Sequence, residues 1–195
     1  EPLPNPRPRM EFVLPEGEPD EIWTGMRQLA RRKVKKAGQA GLVCKRAADL
    51  KEIAAFADVY AVTVARLERD KGVDSGGGLN RERFATALDC LQRAGGGSLY
   101  AAHRDGRLEA GAVFATFADR AYMIHSGATD AGRDAGASFL VMFEALGDLR
   151  KRGHRFINLG GAGGDATDPG SSEHGLYQFK TRFGASVAPC VSGTI

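Results

Sequence analysis

Three consecutive strand-like segments in the middle of the chain constrain its fold more than any other feature. They occupy residues 99–103, 108–117 and 122–127, and short turns at 105–106 and 118–120 separate them. Strands joined by such short turns lie side by side and run antiparallel. The sequence therefore predicts an antiparallel meander in the centre of the sheet.

Helices and further strands surround this meander along the chain. The apolar spacing predicts helices over 19–38, 49–67, 80–94, 132–151 and 175–183, and strands over 10–14, 41–46, 156–159 and 186–191. Helices and the meander, followed by a helix, a strand, a helix and a strand, come in an order that resembles the GNAT acyltransferase fold. We therefore expect an α/β (α+β) domain with a mixed, mostly antiparallel sheet and helices on both faces.

Composition and charge exclude several classes of protein. The 195 residues carry a net charge of +3, and 43% of them are hydrophobic, as in ordinary globular chains. No apolar run approaches the roughly 20 residues of a membrane helix, and no secretory signal is recognisable. The three cysteines lie far apart, and the four histidines have no metal-ligand spacing. We expect a cytoplasmic protein with reduced thiols, no membrane span and no metal.

Basic residues are concentrated in the first predicted helix and just after it. Eight Lys and Arg lie between positions 27 and 46, whereas no acid occurs from 22 to 48. Like charges four residues apart destabilise a helix, so the run is not there for helix stability. It is either a solvated helix face or an electropositive surface for phosphates or an RNA backbone. In the second case Arg31, Arg32 and Lys35 are substrate-binding candidates.

The most specific motif lies near the C-terminus. The strand at 156–159 runs into Gly160 and Gly161, and the segment G-L-Y-Q-F-K-T-R-F-G follows at 175–184. Together with the basic motif R-R-x-x-K-K-A-x-x-x-G-L at 31–42, these features resemble the second GNAT-like domain of FemABX-type transferases. The resemblance covers about residues 10–191. Enzymes of that family depend on aminoacyl-tRNA and build peptidoglycan cross-bridges.

The resemblance implies a reaction and two catalytic residues. The Phe-Lys pair of the family's acceptor and aminoacyl-ester site corresponds to Phe179 and Lys180. The implied reaction is ester aminolysis, in which an acceptor amine attacks the aminoacyl carbonyl at the tRNA 3′ end. The Lys180 ammonium would balance the developing negative charge or a phosphate, while Phe179 would stack on adenine or wall the aminoacyl pocket. Without the resemblance, Lys180 is a surface cation and Phe179 a core residue.

Other residues near this motif complete the candidate site. A loop is predicted over 160–172, in which Gly160 and Gly161 would let the backbone approach a substrate closely. Asp165 is a candidate catalytic carboxylate that takes the proton from the attacking amine, and turn chemistry is its alternative role. The remaining substrate-binding candidates are Tyr122, His174, Tyr177 and Arg182.

A second motif leaves a different acyl donor open. Residues 133–138 read R-D-A-G-A-S, where GNAT enzymes hold an R/Q-x-x-G-x-G/A loop that binds the coenzyme A pyrophosphate at a helix N-terminus. Arg133, Gly136 and Ser138 are therefore cofactor-binding candidates, although Ser138 stands where the family has Gly or Ala. The alternatives to aminoacyl transfer are an acyl-CoA-dependent N-acyltransferase and a GNAT-like scaffold that binds RNA or a partner without turnover.

The expected domain organisation departs from the family that the chain resembles. FemABX members usually carry two GNAT-like domains, whereas residues 10–195 predict one. Residues 1–9 contain four alternating prolines and predict an extended, unpacked arm. The chain is either a fragment of a two-domain protein or a single-domain relative. A single-domain relative would have an open acceptor site suited to a small peptide, as in peptide antibiotic biosynthesis, and a homo-oligomer could replace the missing domain.

Overall fold

A computed structural model describes residues 6–47, 49–71 and 80–192. In this part of the chain, seven strands form one sheet with the spatial order β2-β3-β4-β5-β6-β1-β7. Neighbouring strands are antiparallel except β5 and β6, which run parallel. The strands are β1 (Arg7–Leu14), β2 (Val43–Arg46), β3 (Gly97–Arg104), β4 (Arg107–Phe117), β5 (Arg120–Ala128), β6 (Phe156–Gly163) and β7 (Ser186–Ser192).

Helices pack on both faces of this sheet, as predicted. On one face α3 and α4 enclose a small core with β3 and β4, centred on Phe56 and Leu99. On the other face α6 packs across β2 to β5 over the main core, which includes Phe12, Phe114 and Leu146. The helices are α1 (Glu21–Gly25), α2 (Gln28–Gln39), α3 (Leu50–Lys71), α4 (Arg81–Arg93), α5 (Asp130–Ala135), α6 (Ala137–Lys151) and α7 (His174–Thr181).

The predicted meander is confirmed as β3, β4 and β5. The turn between β3 and β4 places Asp105 at φ 52° and Gly106 at φ 74°, the left-handed conformations that a tight hairpin turn requires. The pairing of β3 with β4 is irregular at one point, because Glu109 is an extra residue of β4 with no residue opposite it. This β-bulge lies close to the end of β4 that faces the candidate site.

The N-terminal prediction is wrong for residues 7–9, which belong to a strand rather than to an unpacked arm. β1 begins at Arg7 and pairs with β6 on one side and β7 on the other. Its Met10 and Phe12 side chains are buried in the main core. The domain therefore starts before residue 10, while residues 1–5 of the predicted arm lie outside the described residues.

Two predicted helices are each broken by a tertiary contact. The helix expected over 19–38 divides into α1 and α2, because the Arg27 amide donates to the Arg182 carbonyl (2.9 Å) instead of continuing the helix. The helix expected over 132–151 divides into α5 and α6 at Gly136, which adopts φ 87°. Elsewhere the predicted Asn80 cap is confirmed, since its side chain accepts from the Arg83 amide (3.0 Å).

The parallel junction between β5 and β6 is very short. Only residues 120–122 of β5 pair with residues 156–158 of β6. Past this point β5 continues along β4 and β6 continues along β1, so the two strands separate. The sheet therefore consists of two halves that are joined by a three-residue seam and open beyond it.

Two properties of the described residues bear on the expectations about location and thiols. No helix in the described ranges combines the length and the apolar character that crossing a membrane requires. Cys44, Cys90 and Cys190 are all free cysteines, and Cys90 is exposed. Burial raises the pKa of the Cys44 thiol to about 12, so this thiol is protonated and unreactive at neutral pH.

Candidate functional site

A cavity of about 480 Å³ lies where β5 separates from β6. Its apolar wall comes from α6 and α7, which project side chains from the main core into the opening. These side chains pack among themselves, and Phe139 and Phe179 meet edge to face at 5.0 Å. The apolar lining consists of Leu67, Phe139, Val141, Met142, Leu176 and Phe179.

The polar lining of the cavity is mostly hydroxylic and cationic. Arg66 from α3 and Arg133 from α5 are its two charged side chains, together with the hydroxyls of Thr63, Ser126 and Ser138. Arg133 is 42% exposed and forms an ion pair with Asp130 (3.1 Å). Among the described residues, the lining contains no carboxylate. The cavity is therefore suited to a ligand with an apolar part and an anionic part.

The three coenzyme-loop candidates have different surroundings. Arg133 and Ser138 line the cavity, as the prediction requires. Gly136 instead faces α2, and a Cβ at this position would lie 2.8 Å from the Lys33 carbonyl oxygen. Its left-handed φ of 87° and this close approach both require glycine. Gly136 thus joins α5 to α6 against α2 and does not line the cavity.

Lys180, the predicted catalytic cation, is a buried residue rather than a surface one. It is 3% exposed, its ammonium donates to the Gly161 carbonyl (2.9 Å), and Nζ lies 5.1 Å from the centre of the Phe12 ring. Burial lowers the pKa of Lys180 to about 8, although Glu11 and Glu173 partly oppose this effect. Its neighbour Phe179 lines the cavity, whereas Lys180 lies behind it, towards β6 and β1.

Gly160 and Gly161 were predicted in a loop, and this prediction is wrong because β6 continues to Gly163. Gly161 pairs with Glu11 of β1. Gly160 has a φ of 75° and its amide donates to the Asn158 side chain (2.7 Å). A Cβ on Gly160 would lie 3.5 Å from Lys180 Nζ and 3.2 Å from the Met123 carbonyl. These glycines therefore let Lys180 approach the backbone at the point where the sheet opens.

His174 belongs to a hydrogen-bonded ladder along α7. Its Nδ1 donates to the Ala166 carbonyl (3.1 Å), and Arg182 donates to Gln178 Oε1 (2.9 Å). The Gln178 amide nitrogen consequently faces His174 Nε2 (2.8 Å), which must accept. The ladder holds the ring of His174 in one orientation, with Nδ1 as the donor. Both ring nitrogens and the Arg182 guanidinium are engaged with protein groups.

Asp165 and the two tyrosine candidates lie outside the cavity lining. Asp165 is exposed just after β6, where the neighbouring Glu173 carboxylate accepts from the Gly163 amide (2.5 Å). Tyr177 meets the Phe12 ring edge to face at 5.9 Å, and Tyr122 packs against Phe156 at 5.6 Å. Both tyrosines are therefore packing residues in this structure.

Three basic residues of α2, Arg31, Arg32 and Lys35, are the predicted substrate-binding cations, and we call them the basic ledge. α2 is anchored at both ends to elements of the site. Its start bonds to the Arg182 carbonyl, and near its end Lys36 donates to the Asp134 carbonyl (2.9 Å), one residue from Arg133. Arg32 and Lys35 are exposed. The helix α2 therefore lies beside the segment that carries Arg133, whereas Lys35 Nζ lies 5.8 Å from the centre of the Trp23 ring of α1.

Sequence reasoning missed several residues of the cavity. Thr63 and Arg66 come from the middle of α3, Met142 from α6 and Leu176 from α7. None of these four residues was predicted from the sequence as a site candidate. Their helical spacing predicts burial, but it does not reveal a cavity between elements that are over 60 residues apart in sequence. Arg66 gave the only signal, because it is a cation on an otherwise apolar helix face.

The family described as "Acetyltransferase (GNAT) domain" matches residues 24–180 of this chain. Because the match spans most of the chain, the protein belongs to the GNAT acetyltransferase-domain family, and the predicted fold class is confirmed. A search of curated proteins found no match.

Several solved structures share the fold of this chain, and one of them was solved with acetyl-CoA. FemX superposes with a TM-score of 0.76 at 16% identity, over 92% of this chain and 59% of FemX. A protein of unknown function from Bacteroides thetaiotaomicron superposes with a TM-score of 0.61 at 15% identity, and the superposition covers 95% of this chain and 62% of that protein. A predicted acetyltransferase from Clostridium acetobutylicum, solved with acetyl-CoA, superposes with a TM-score of 0.50 at 14% identity. The superposition covers 70% of this chain and 88% of that protein. The chain thus spans about three fifths of FemX.

Proposed function

We propose that this protein transfers an aminoacyl group from aminoacyl-tRNA to the amine of a peptide or a peptidoglycan precursor. The observation that carries the proposal is the cavity at the open seam, which has an apolar wall ending in Phe179 and two arginines. An aminoacyl ester on a terminal adenosine has parts that match, an adenine ring for the apolar wall and a chain of phosphates for the arginines. The motif resemblance to FemABX-type transferases and the fold shared with FemX add support.

The reaction needs positioning more than acid–base power. The acceptor nitrogen attacks the ester carbonyl carbon, a C–N bond forms, and the C–O bond to the ribose breaks. The ribose oxygen leaves and takes up a proton, and the attacking amine loses one, for which the exposed Asp165 carboxylate is the candidate acceptor. Lys180 holds a positive charge in the protein interior behind Phe179, where a low dielectric strengthens its effect on the negative charge that develops on the carbonyl oxygen.

The basic ledge supports a donor with many phosphates. Arg31, Arg32 and Lys35 lie along α2, which is bonded to the Asp134 carbonyl near its end and to the Arg182 carbonyl at its start. A nucleotide chain that enters the cavity by its 3′ end would pass over the basic ledge. Reaction with aminoacyl-tRNA would take place in the cytoplasm, where such donors are made.

A second candidate, transfer from an acyl-coenzyme A to an amine, is favoured by one specific observation. Arg133 and Ser138 line the cavity at the start of α6, where a pyrophosphate would meet a helix N-terminus. The Clostridium acetyltransferase of similar fold was solved with acetyl-CoA. The two donors would use the same cavity and differ in the number of phosphates that reach the basic ledge.

The test is a direct comparison of the two donors. The protein is incubated with a mixture of labelled aminoacyl-tRNAs or with labelled acetyl-CoA, each with a panel of peptide and muropeptide amines. Label that moves from tRNA to an amine, and that is lost in Lys180→Met but not in the matched control Lys151→Met, supports aminoacyl transfer. Label that moves only from acetyl-CoA contradicts it. No transfer from either donor, with intact RNA binding, would indicate a non-catalytic binding module.

A further inference from the structure

Glu109 is a buried carboxylate with no role in the reaction described above. It is 8% exposed and forms an ion pair with Arg104 of β3 (3.1 Å). As the extra residue of the β-bulge in β4, it escapes the regular alternation of the strand. Bulges commonly re-aim a side chain next to a functional site. Here the bulge directs Glu109 towards the turn that follows β5.

That turn is attached to Glu109 at three points. The Thr129 amide donates to the Glu109 carbonyl (2.9 Å), and the Thr129 hydroxyl donates to the Glu109 carboxylate. Gly132 packs so closely on the Glu109 carbonyl that no Cβ could be accommodated there. The Thr129 hydroxyl in turn accepts from the Gly132 amide (2.9 Å) and so caps α5.

The residue after this anchored segment is Arg133, which lines the cavity. Because α5 is only six residues long, its position depends on the turn that begins it. From this chain of contacts we infer that Glu109 is a positioning residue, which acts through Thr129 to hold Arg133 at the cavity mouth for the anionic part of the acyl donor. The inference rests on the proposed function in assuming that the donor occupies this cavity.

The role of Arg104 follows from the same geometry. A carboxylate that is 8% exposed needs a charged partner, since an unpaired buried charge is costly. Arg104 supplies that partner from β3 and leaves the second carboxylate oxygen free for the Thr129 hydroxyl. Glu109 therefore fixes the turn as an anion, and Gln at this position would keep the acceptor oxygen but lose the ion pair.

The test is a double-mutant cycle between Thr129→Val and Arg133→Gln. We measure the donor KM and kcat, and the Kd for coenzyme A and for deacylated total tRNA. Each single variant should raise KM or Kd roughly tenfold with kcat nearly unchanged, the size expected when one charge-assisted contact to the donor is lost or weakened. The double variant should be no worse than Arg133→Gln alone, because Thr129 acts through Arg133. Thr129→Ser, which keeps the hydroxyl, should restore wild-type values.

Additive effects in the cycle, or a Thr129→Val variant that binds as the wild type does, would overturn the inference. If Thr129→Val does not fold, Glu109→Gln takes its place in the cycle. Failure of the proposed function has a different signature: the probes still bind and the cycle still shows coupling, but no acyl transfer occurs. If neither probe binds the wild-type protein and no transfer occurs, both the proposed function and this inference are wrong.

Discussion

The two sides of the open seam each contribute a cation, and the two cations differ in almost every respect. Arg133, on the side of β5, is 42% exposed and paired with Asp130 at the cavity mouth. Lys180, on the side of β6, is 3% exposed, and its nearest polar partner is a backbone carbonyl. A hydrated guanidinium can bind and release an anion, whereas a desolvated ammonium acts on charge that develops nearby. From this difference we propose that the first side binds the donor and that the second side acts in catalysis.

The largest effect should come from removing the charge of Lys180 while keeping its volume. In Lys180→Met we expect kcat to fall by about 10²–10³-fold, the usual cost of losing one group that stabilises a developing oxyanion. The donor KM should change little, since Lys180 lies behind the cavity wall. Steady-state kinetics measure both constants, and Lys151→Met is the exposed control. An unchanged kcat would exclude Lys180 from the mechanism.

On the other side of the seam we expect a tenfold effect on the donor KM rather than on kcat. Arg133→Gln should raise the donor KM about tenfold and leave kcat nearly unchanged, because it removes binding that the ground state and the transition state share. Asp130→Asn is the matched control, which frees Arg133 from its ion pair and should not raise KM. If Arg133→Gln lowers kcat as strongly as Lys180→Met does, the division of roles between the two sides is wrong.

A smaller effect should separate the two donors on the basic ledge. The variant Arg32→Gln/Lys35→Gln should weaken tRNA binding a few-fold and reduce the slope of log K against log salt by about one for each cation removed. Lys51→Gln, on α3, should change neither. Fluorescence anisotropy over a salt series measures the slope. An unchanged slope would mean that the ledge is a solvated helix face.

The smallest effect is a pH dependence of stability. Burial lowers the pKa of Lys180 from its ordinary 10.5 to about 8, so between these values the unfolded chain binds more protons than the folded one. The free energy of unfolding should therefore rise with pH over this window, relative to Lys180→Met, by on the order of 1 kcal/mol. Urea unfolding at pH 7.5 and 10 measures the difference. Turnover should fall over the same pH window if the ammonium is required. A turnover that rises with pH together with the free energy of unfolding would contradict that requirement.

The elements of the fold that depend on local chemistry could be predicted from the sequence. The turn at Asp105 and Gly106 and the cap at Asn80 are encoded in a few adjacent residues, and both formed as expected. Gly136 is also recognisable as a special position, but its role is not. Only the fold brings it against the Lys33 carbonyl, 103 residues away, instead of against a ligand.

Three of the predicted site residues share one cavity, but the sequence did not predict how that cavity is arranged. Phe179, Arg133 and Ser138 line one cavity, although they come from two separate motifs. Lys180 follows Phe179 directly, yet helix geometry turns it about 100° away and buries it behind the wall. Arg66 was not found, because a cation on an otherwise apolar helix face does not by itself show that the middle of α3 faces the opening. Side chains that meet only through tertiary packing leave no signature within a short window of sequence.

Gly132 and Gly136, the two glycines on either side of Arg133, have a consequence for redesign of the cavity mouth. Gly132 lies against the Glu109 carbonyl and Gly136 against the Lys33 carbonyl, so the segment between them is clamped through main-chain atoms at both ends. A library that keeps these two positions and varies Arg133 and Asp134 would change the chemistry of the entrance without moving its backbone. A library that varies the two glycines would mostly yield variants in which this segment is misfolded. The variants that still fold would give little information about which donor the protein uses.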